Sequence, residues 1–158
     1  MEENKSVRVV IGGTFEELHV GHIKLLSEAF KIGDEILIGL TSDSFAFRVK
    51  KRKVTSYEDR KLALEKLIMT SKWNKRFTIV KIEDPYGPTI ERSELDVIVV
   101  SEETYPTAFK INKLRVKRGL KPLIIRVINL VVTDAGDKLS SSDIKESRVN
   151  SWGRSIKA

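Results

Sequence analysis

The sequence predicts a doubly wound α/β domain built on a five-stranded parallel sheet. Apolar, β-branched-rich runs recur at residues 7–11, 35–41, 77–82, 95–100 and 123–132, and most are continuous rather than alternating, as strands covered on both faces require. Helical stretches separate successive runs, so the chain reads as βαβ units with right-handed crossovers. The first run, moreover, enters a glycine turn that opens a helix. Such a turn brings backbone close to a ligand, and the free N–H groups and dipole of the helix favour an anion there.

In chain order, residues 7–11 form the first strand and 21–31 the first helix, with Ile23, Leu26, Ala29 and Phe30 as its apolar stripe. Gly33 and Asp34 close that helix, and residues 35–41 form the second strand. Residues 42–55 read as a polar loop centred on Arg48 to Lys53, five bases in six residues. A run of this kind is ordinarily solvated surface, but here it follows a strand on the ligand-binding edge of the sheet. Ser56, with Asp59 three residues on, opens a helix to about Ser71 whose stripe is Leu64, Leu67 and Ile68. Residues 77–82 are the third strand, ended by the stiff turn Asp84, Pro85, Tyr86, Gly87, Pro88.

Residues 95–100 are the fourth strand, after which Pro106 marks the first turn of a helix that ends near Gly119. From residue 104 to 133 there are seven Lys or Arg and no Asp or Glu, a composition that suits a solvated helix face or an anion-binding one. After the fifth strand, residues 134–137 turn the chain, and Ser140 to Asp143 reads as a second helix cap. Residues 149–158 read as a polar tail. Neither linker nor repeat interrupts residues 1–158, which are expected to form a single domain.

Composition narrows the chemistry. The chain has 158 residues, enough for a core of its own. No apolar run approaches the ~20 residues of a membrane span, and the polar start lacks a signal peptide's apolar segment, so a cytosolic location away from membranes is expected. The absence of cysteine excludes disulfides, thiolate nucleophiles and cysteine-ligated metals. With only two histidines, a closed zinc site is not expected either, and no metal is assigned to protein ligands. A magnesium ion carried in by a nucleotide is the expected cofactor. The net charge of +7 suits an anionic partner without choosing among them.

Those two histidines, His19 and His22, lie three residues apart at the start of the first helix, beside Gly12, Gly13 and Thr14. Their side chains therefore share one face next to the glycine turn. Gly13-Thr14-Phe15 followed by His19-x-Gly21-His22 resembles the signature of the nucleotidylyltransferase superfamily, which joins a nucleoside monophosphate from ATP or CTP to a phosphate or carboxylate and releases pyrophosphate. Lys138 to Lys145, KLSSSDIK, is similar to that superfamily's C-terminal motif, with Lys145 in place of arginine. DPYGPT at 84–89, VVSEET at 99–104 and Asn112-x-x-Arg115 resemble the archaeal and eukaryotic type of phosphopantetheine adenylyltransferase.

The resemblance implies a Rossmann-like fold and transfer of the adenylyl group of ATP to 4′-phosphopantetheine, giving dephospho-coenzyme A and pyrophosphate. It implies that His19 and His22 hold the nucleotide phosphates and that Thr14 orients the attacking phosphate, which Lys51 clamps. It places Gly12, Gly13, Phe15, Gly21, Ser101 and Glu102 at ATP, and Ser140, Ser141 and Ser142 at the leaving pyrophosphate. Tyr86 and Arg115 are implied at phosphopantetheine. One departure stands out: the bacterial enzymes carry an Arg-Gly-x-Arg segment after the fourth strand, where this chain has Ser101, Glu102, Glu103 and Thr104. Carboxylates cannot replace arginine on phosphate, so the missing cation is expected from Arg115, Lys110 or the 48–53 loop.

A same-fold enzyme with nicotinamide mononucleotide, flavin mononucleotide or glycerol 3-phosphate as acceptor is the nearest alternative, since the ATP motifs are shared. A basic nucleic-acid-binding module is the alternative from another class. It is disfavoured because aromatic residues do not interleave the basic run. Homo-oligomerisation is left open.

Overall fold

The computed structural model describes residues 6–129. The expected motif at 138–145, with Ser140, Ser141 and Ser142, and the polar tail lie outside the described residues. The first strand, β1 (Arg8–Gly13), is followed by α1 (Val20–Ile32) and then by β2 (Glu35–Thr41). Next come α2 (Asp43–Lys50), α3 (Tyr57–Ser71) and β3 (Arg76–Ile82). A short 3₁₀ turn (Gly87–Ile90) leads to β4 (Val97–Ser101), α4 (Tyr105–Lys117) and β5 (Ile124–Ile128).

The five strands are parallel in the order β3-β2-β1-β4-β5. Strand order thus reverses between β1 and β4, which is the switch point where open sheets of this kind bind ligands at their carboxyl ends. Alternation along the strands divides the core between two layers. Val9 and Ile11 face the side covered by Leu26, Ala29 and Phe30 of α1 and Leu64 and Ile68 of α3. Val10, Ile98 and Val100 face Ala108 and Ile111 of α4. Both faces being covered accounts for the continuous apolar strands.

One expectation is corrected here. Residues 43–50, read as loop, form α2, capped by the Ser42 hydroxyl, which accepts from Phe45 N–H. Only Ala46 of this helix is buried, and Phe47 and Val49 are exposed, so no apolar stripe marked it in the sequence. Part of the basic run is explained by the same helix: Arg48 and Lys50 occupy its last turn, where cations complement the dipole. Other members are held internally. Arg48 donates to the Glu83 carbonyl at 2.8 Å, and Arg52 pairs at 2.8 Å with Glu16, which also accepts from Thr55 N–H at 2.8 Å.

Candidate active site

A cavity of about 670 Å³ opens at the switch point, between the carboxyl ends of β1 and β4 and the first turns of α1 and α4. Gly12, Gly13, Thr14 and Phe15 form its floor beside β1. An added Cβ on Gly13 would lie 3.1 Å from the Phe15 ring, and Phe15 itself adopts a left-handed φ of 50°. Such a conformation in a bulky residue is strained, and strain of this kind concentrates at functional turns. The turn folds Phe15 into the core, where its ring packs 5.3 Å from that of His22.

The histidines make an unusual cap for α1. His19 is the N-cap, and its Nδ1 accepts from Gly21 N–H at 3.0 Å. His22 reaches back, its Nδ1 accepting from His19 N–H at 3.3 Å. The two rings stack at 3.9 Å. Each Nδ1 accepts, so in the neutral rings each Nε2 carries the hydrogen. Both residues line the cavity, which makes the pair a set of fixed donors rather than of cations. Burial, with the nearby Lys50 charge and opposed by Glu17, lowers the His19 pKa to about 4. Burial, His19 and Lys50 lower that of His22 to about 3.

The sign of the pH dependence follows. Both rings stay neutral above pH ~5 in the folded protein, whereas the unfolded chain protonates them near 6.5. Their contribution to stability is complete above pH 6.5 and is lost as pH falls from there through about 4 and then 3. Thermal midpoints measured from pH 7.5 to 4 should therefore decline more steeply below pH 6.5 in the wild type than in a His19→Asn, His22→Asn variant.

The remaining implied residues divide. Ser101, Tyr86 and Gly21 line the cavity, whereas Lys51, Glu102 and Arg115 do not. Lys51 is the left-handed C-cap of α2, with φ 62°, and its side chain is exposed. That cap turns the chain so that the preceding Lys50 lies at the cavity instead. Lys50, and not Lys51, thus lies at the cavity, and Lys50→Ala is expected to raise KM for a phosphate-bearing substrate by roughly tenfold or more; steady-state kinetics beside Lys51→Ala, with little change, checks this.

Arg115 departs from its implied place as well. It is wholly buried under α4, donating to the carbonyls of Thr89, Arg92 and Lys121, so its guanidinium ties the 3₁₀ turn to α4 and does not line the cavity. Lys110 is exposed and also lies away from the cavity. After β4, Glu103 lines the cavity in place of Glu102, together with Thr104 and Thr107. Sequence reasoning did not single out Arg60. Its buried side chain bonds to the carbonyls of Thr14, Thr41 and Thr55 and to Asp43, fixing the glycine turn from behind.

Fold and site together define a Rossmann-like α/β domain with neutral imidazole donors at a helix start beside the switch-point cavity. Residues 10–147 match the cytidylyltransferase-like family. A phosphopantetheine adenylyltransferase of Methanopyrus kandleri is 46% identical over 138 residues, 87% of this chain and 88% of that protein. That of Pyrococcus furiosus is 40% identical over 156 residues, covering 98% and 97%. A crystal structure of an Archaeoglobus fulgidus protein of unknown function superposes with a TM-score of 0.71 at 39% identity, covering 77% of this chain and 89% of that one. The chain belongs to the cytidylyltransferase-like family and, within it, to the phosphopantetheine adenylyltransferases.

Proposed function

We propose that the protein transfers the adenylyl group of ATP to 4′-phosphopantetheine, giving dephospho-coenzyme A and pyrophosphate, a step of coenzyme A biosynthesis. Besides the family, the observation that carries this reading is the stacked histidine pair, locked at Nδ1 by backbone N–H groups at the mouth of the switch-point cavity. A phosphate oxygen of the acceptor attacks the α-phosphorus of ATP, the bond from that phosphorus to the β-phosphate oxygen breaks, and pyrophosphate leaves. No protein nucleophile is required, because the acceptor phosphate is already an anion. Catalysis is positioning and electrostatics.

Each group has a physical task in this reaction. The Nε2 donors of His19 and His22 and the α1 N-terminus meet charge that builds on the α-phosphoryl oxygens. Lys50 draws the phosphates in by charge, and Thr14 orients the attacking phosphate. Ser140, Ser141 and Ser142, by resemblance, hold the leaving pyrophosphate. A Mg²⁺ ion carried in on the ATP phosphates would supply charge neutralisation there. None of the helices among the described residues is long and apolar enough to cross a membrane.

Pyrophosphate release tests this directly. With ATP and Mg²⁺, release is expected with 4′-phosphopantetheine and not with nicotinamide mononucleotide, flavin mononucleotide or glycerol 3-phosphate, nor with CTP replacing ATP. Turnover on one of those other acceptors would keep the chemistry and reassign the substrate.

A further inference from the structure

We propose that Arg60 and Thr41 fix the direction of the Thr14 hydroxyl hydrogen, so that Thr14 meets the reactive phosphate as a donor; the inference rests on the reaction proposed above. Arg60 is 2% exposed and Thr41 5%. The Nη1 of Arg60 lies 3.1 Å from Thr41 Oγ1, 2.9 Å from the Thr41 carbonyl and 3.1 Å from the Thr14 carbonyl. A guanidinium only donates, so Thr41 Oγ1 accepts from it. The Thr41 hydroxyl has one hydrogen of its own, and its neighbour at 3.1 Å is Thr14 Oγ1.

The polarity of this short chain follows. The geometry at the two oxygens makes Thr41 Oγ1 the donor and Thr14 Oγ1 the acceptor, while Thr41 Oγ1 accepts from Arg60 Nη1. The hydrogen of Thr14 is thereby turned away from β2, toward the cavity that Thr14 lines. A phosphate oxygen without a hydrogen needs a donor there, and the chain orients one before the substrate arrives. Arg60 is itself held against rotation by its Nε bond to the Thr55 carbonyl at 2.6 Å and its Nη2 bond to Asp43 at 3.1 Å. Arg60 and Thr41 are positioning residues, and the donor they aim is Thr14.

A double-mutant cycle tests the relay. Thr41→Val removes the hydroxyl at similar volume and leaves Arg60 Nη1 two carbonyl acceptors for its two hydrogens, so folding is expected to survive. Thr41→Val should lower kcat/KM roughly three- to tenfold, Thr14→Val by roughly tenfold or more, and the double variant no further than Thr14→Val alone. Thr41→Ser, which restores the hydroxyl, should recover most of the loss. Full additivity of the two valine substitutions, or a Thr41→Ser loss equal to that of Thr41→Val, would overturn the relay. A wild type silent with ATP and phosphopantetheine would overturn the reaction instead. The coupling is then read in the calorimetric Kd for inorganic phosphate, and additivity there would overturn the relay equally.

Discussion

His22→Ala is expected to lower turnover by about two orders of magnitude or more while leaving cooperative unfolding intact. The size follows from the role: a preorganised donor aimed at developing charge is worth about 3 kcal/mol or more of transition-state stabilisation when removed singly. The fold should survive because the His22 ring contributes one long bond, at 3.3 Å to His19 N–H, a stack on His19 and a contact with the Phe15 ring, while the core beneath α1 is formed by Leu26, Ala29 and Phe30. KM for ATP should rise less than kcat falls if the donor acts mainly in the transition state. Steady-state kinetics with a parallel thermal melt checks both parts. A collapse of the melt with unchanged kcat would assign His22 to structure.

The opposite profile is expected of Arg115→Ala. That side chain has no access to the cavity, and its loss leaves the carbonyls of Thr89, Arg92 and Lys121 without their donor and opens a void beneath α4. Unpaired buried carbonyls and lost packing together imply about 3 kcal/mol of destabilisation, a fall in Tm of roughly 6–12 °C for a chain of this length. Burial lowers the Arg115 pKa, and among the described residues its buried Nη2 has no hydrogen-bond partner, so the net loss is smaller than three full hydrogen bonds. At a temperature where the variant is folded, KM for phosphopantetheine should match the wild type. A raised KM with an unchanged Tm would return Arg115 to the substrate.

These two residues also mark what the sequence could and could not disclose. The strands, the glycine turn and the histidine pair were legible because each is a local pattern: a continuous apolar run, a turn chemistry, an i, i+3 pairing on one helix face. The order β3-β2-β1-β4-β5 then placed the turn at the switch point, as alternating strands and helices implied. Helix α2 escaped because one buried residue, Ala46, leaves no period. Whether Lys50 or Lys51 meets the cavity depends on a left-handed cap at residue 51, which a run of adjacent bases does not encode. Arg115 looked like a phosphate ligand only because the carbonyls that surround it, at 89, 92 and 121, come together through tertiary packing. Arg60 was hidden for the same reason, its partners Thr14 and Thr41 lying 46 and 19 residues away.

The central claim is that a phosphate oxygen of 4′-phosphopantetheine displaces pyrophosphate from the α-phosphorus of ATP. Mass spectrometry after incubation with acceptor labelled with ¹⁸O throughout its phosphate measures this most directly. The expected result is dephospho-coenzyme A that keeps the whole label, formed mole for mole with unlabelled pyrophosphate. Label in the pyrophosphate, or pyrophosphate released with no adenylylated acceptor, would contradict it.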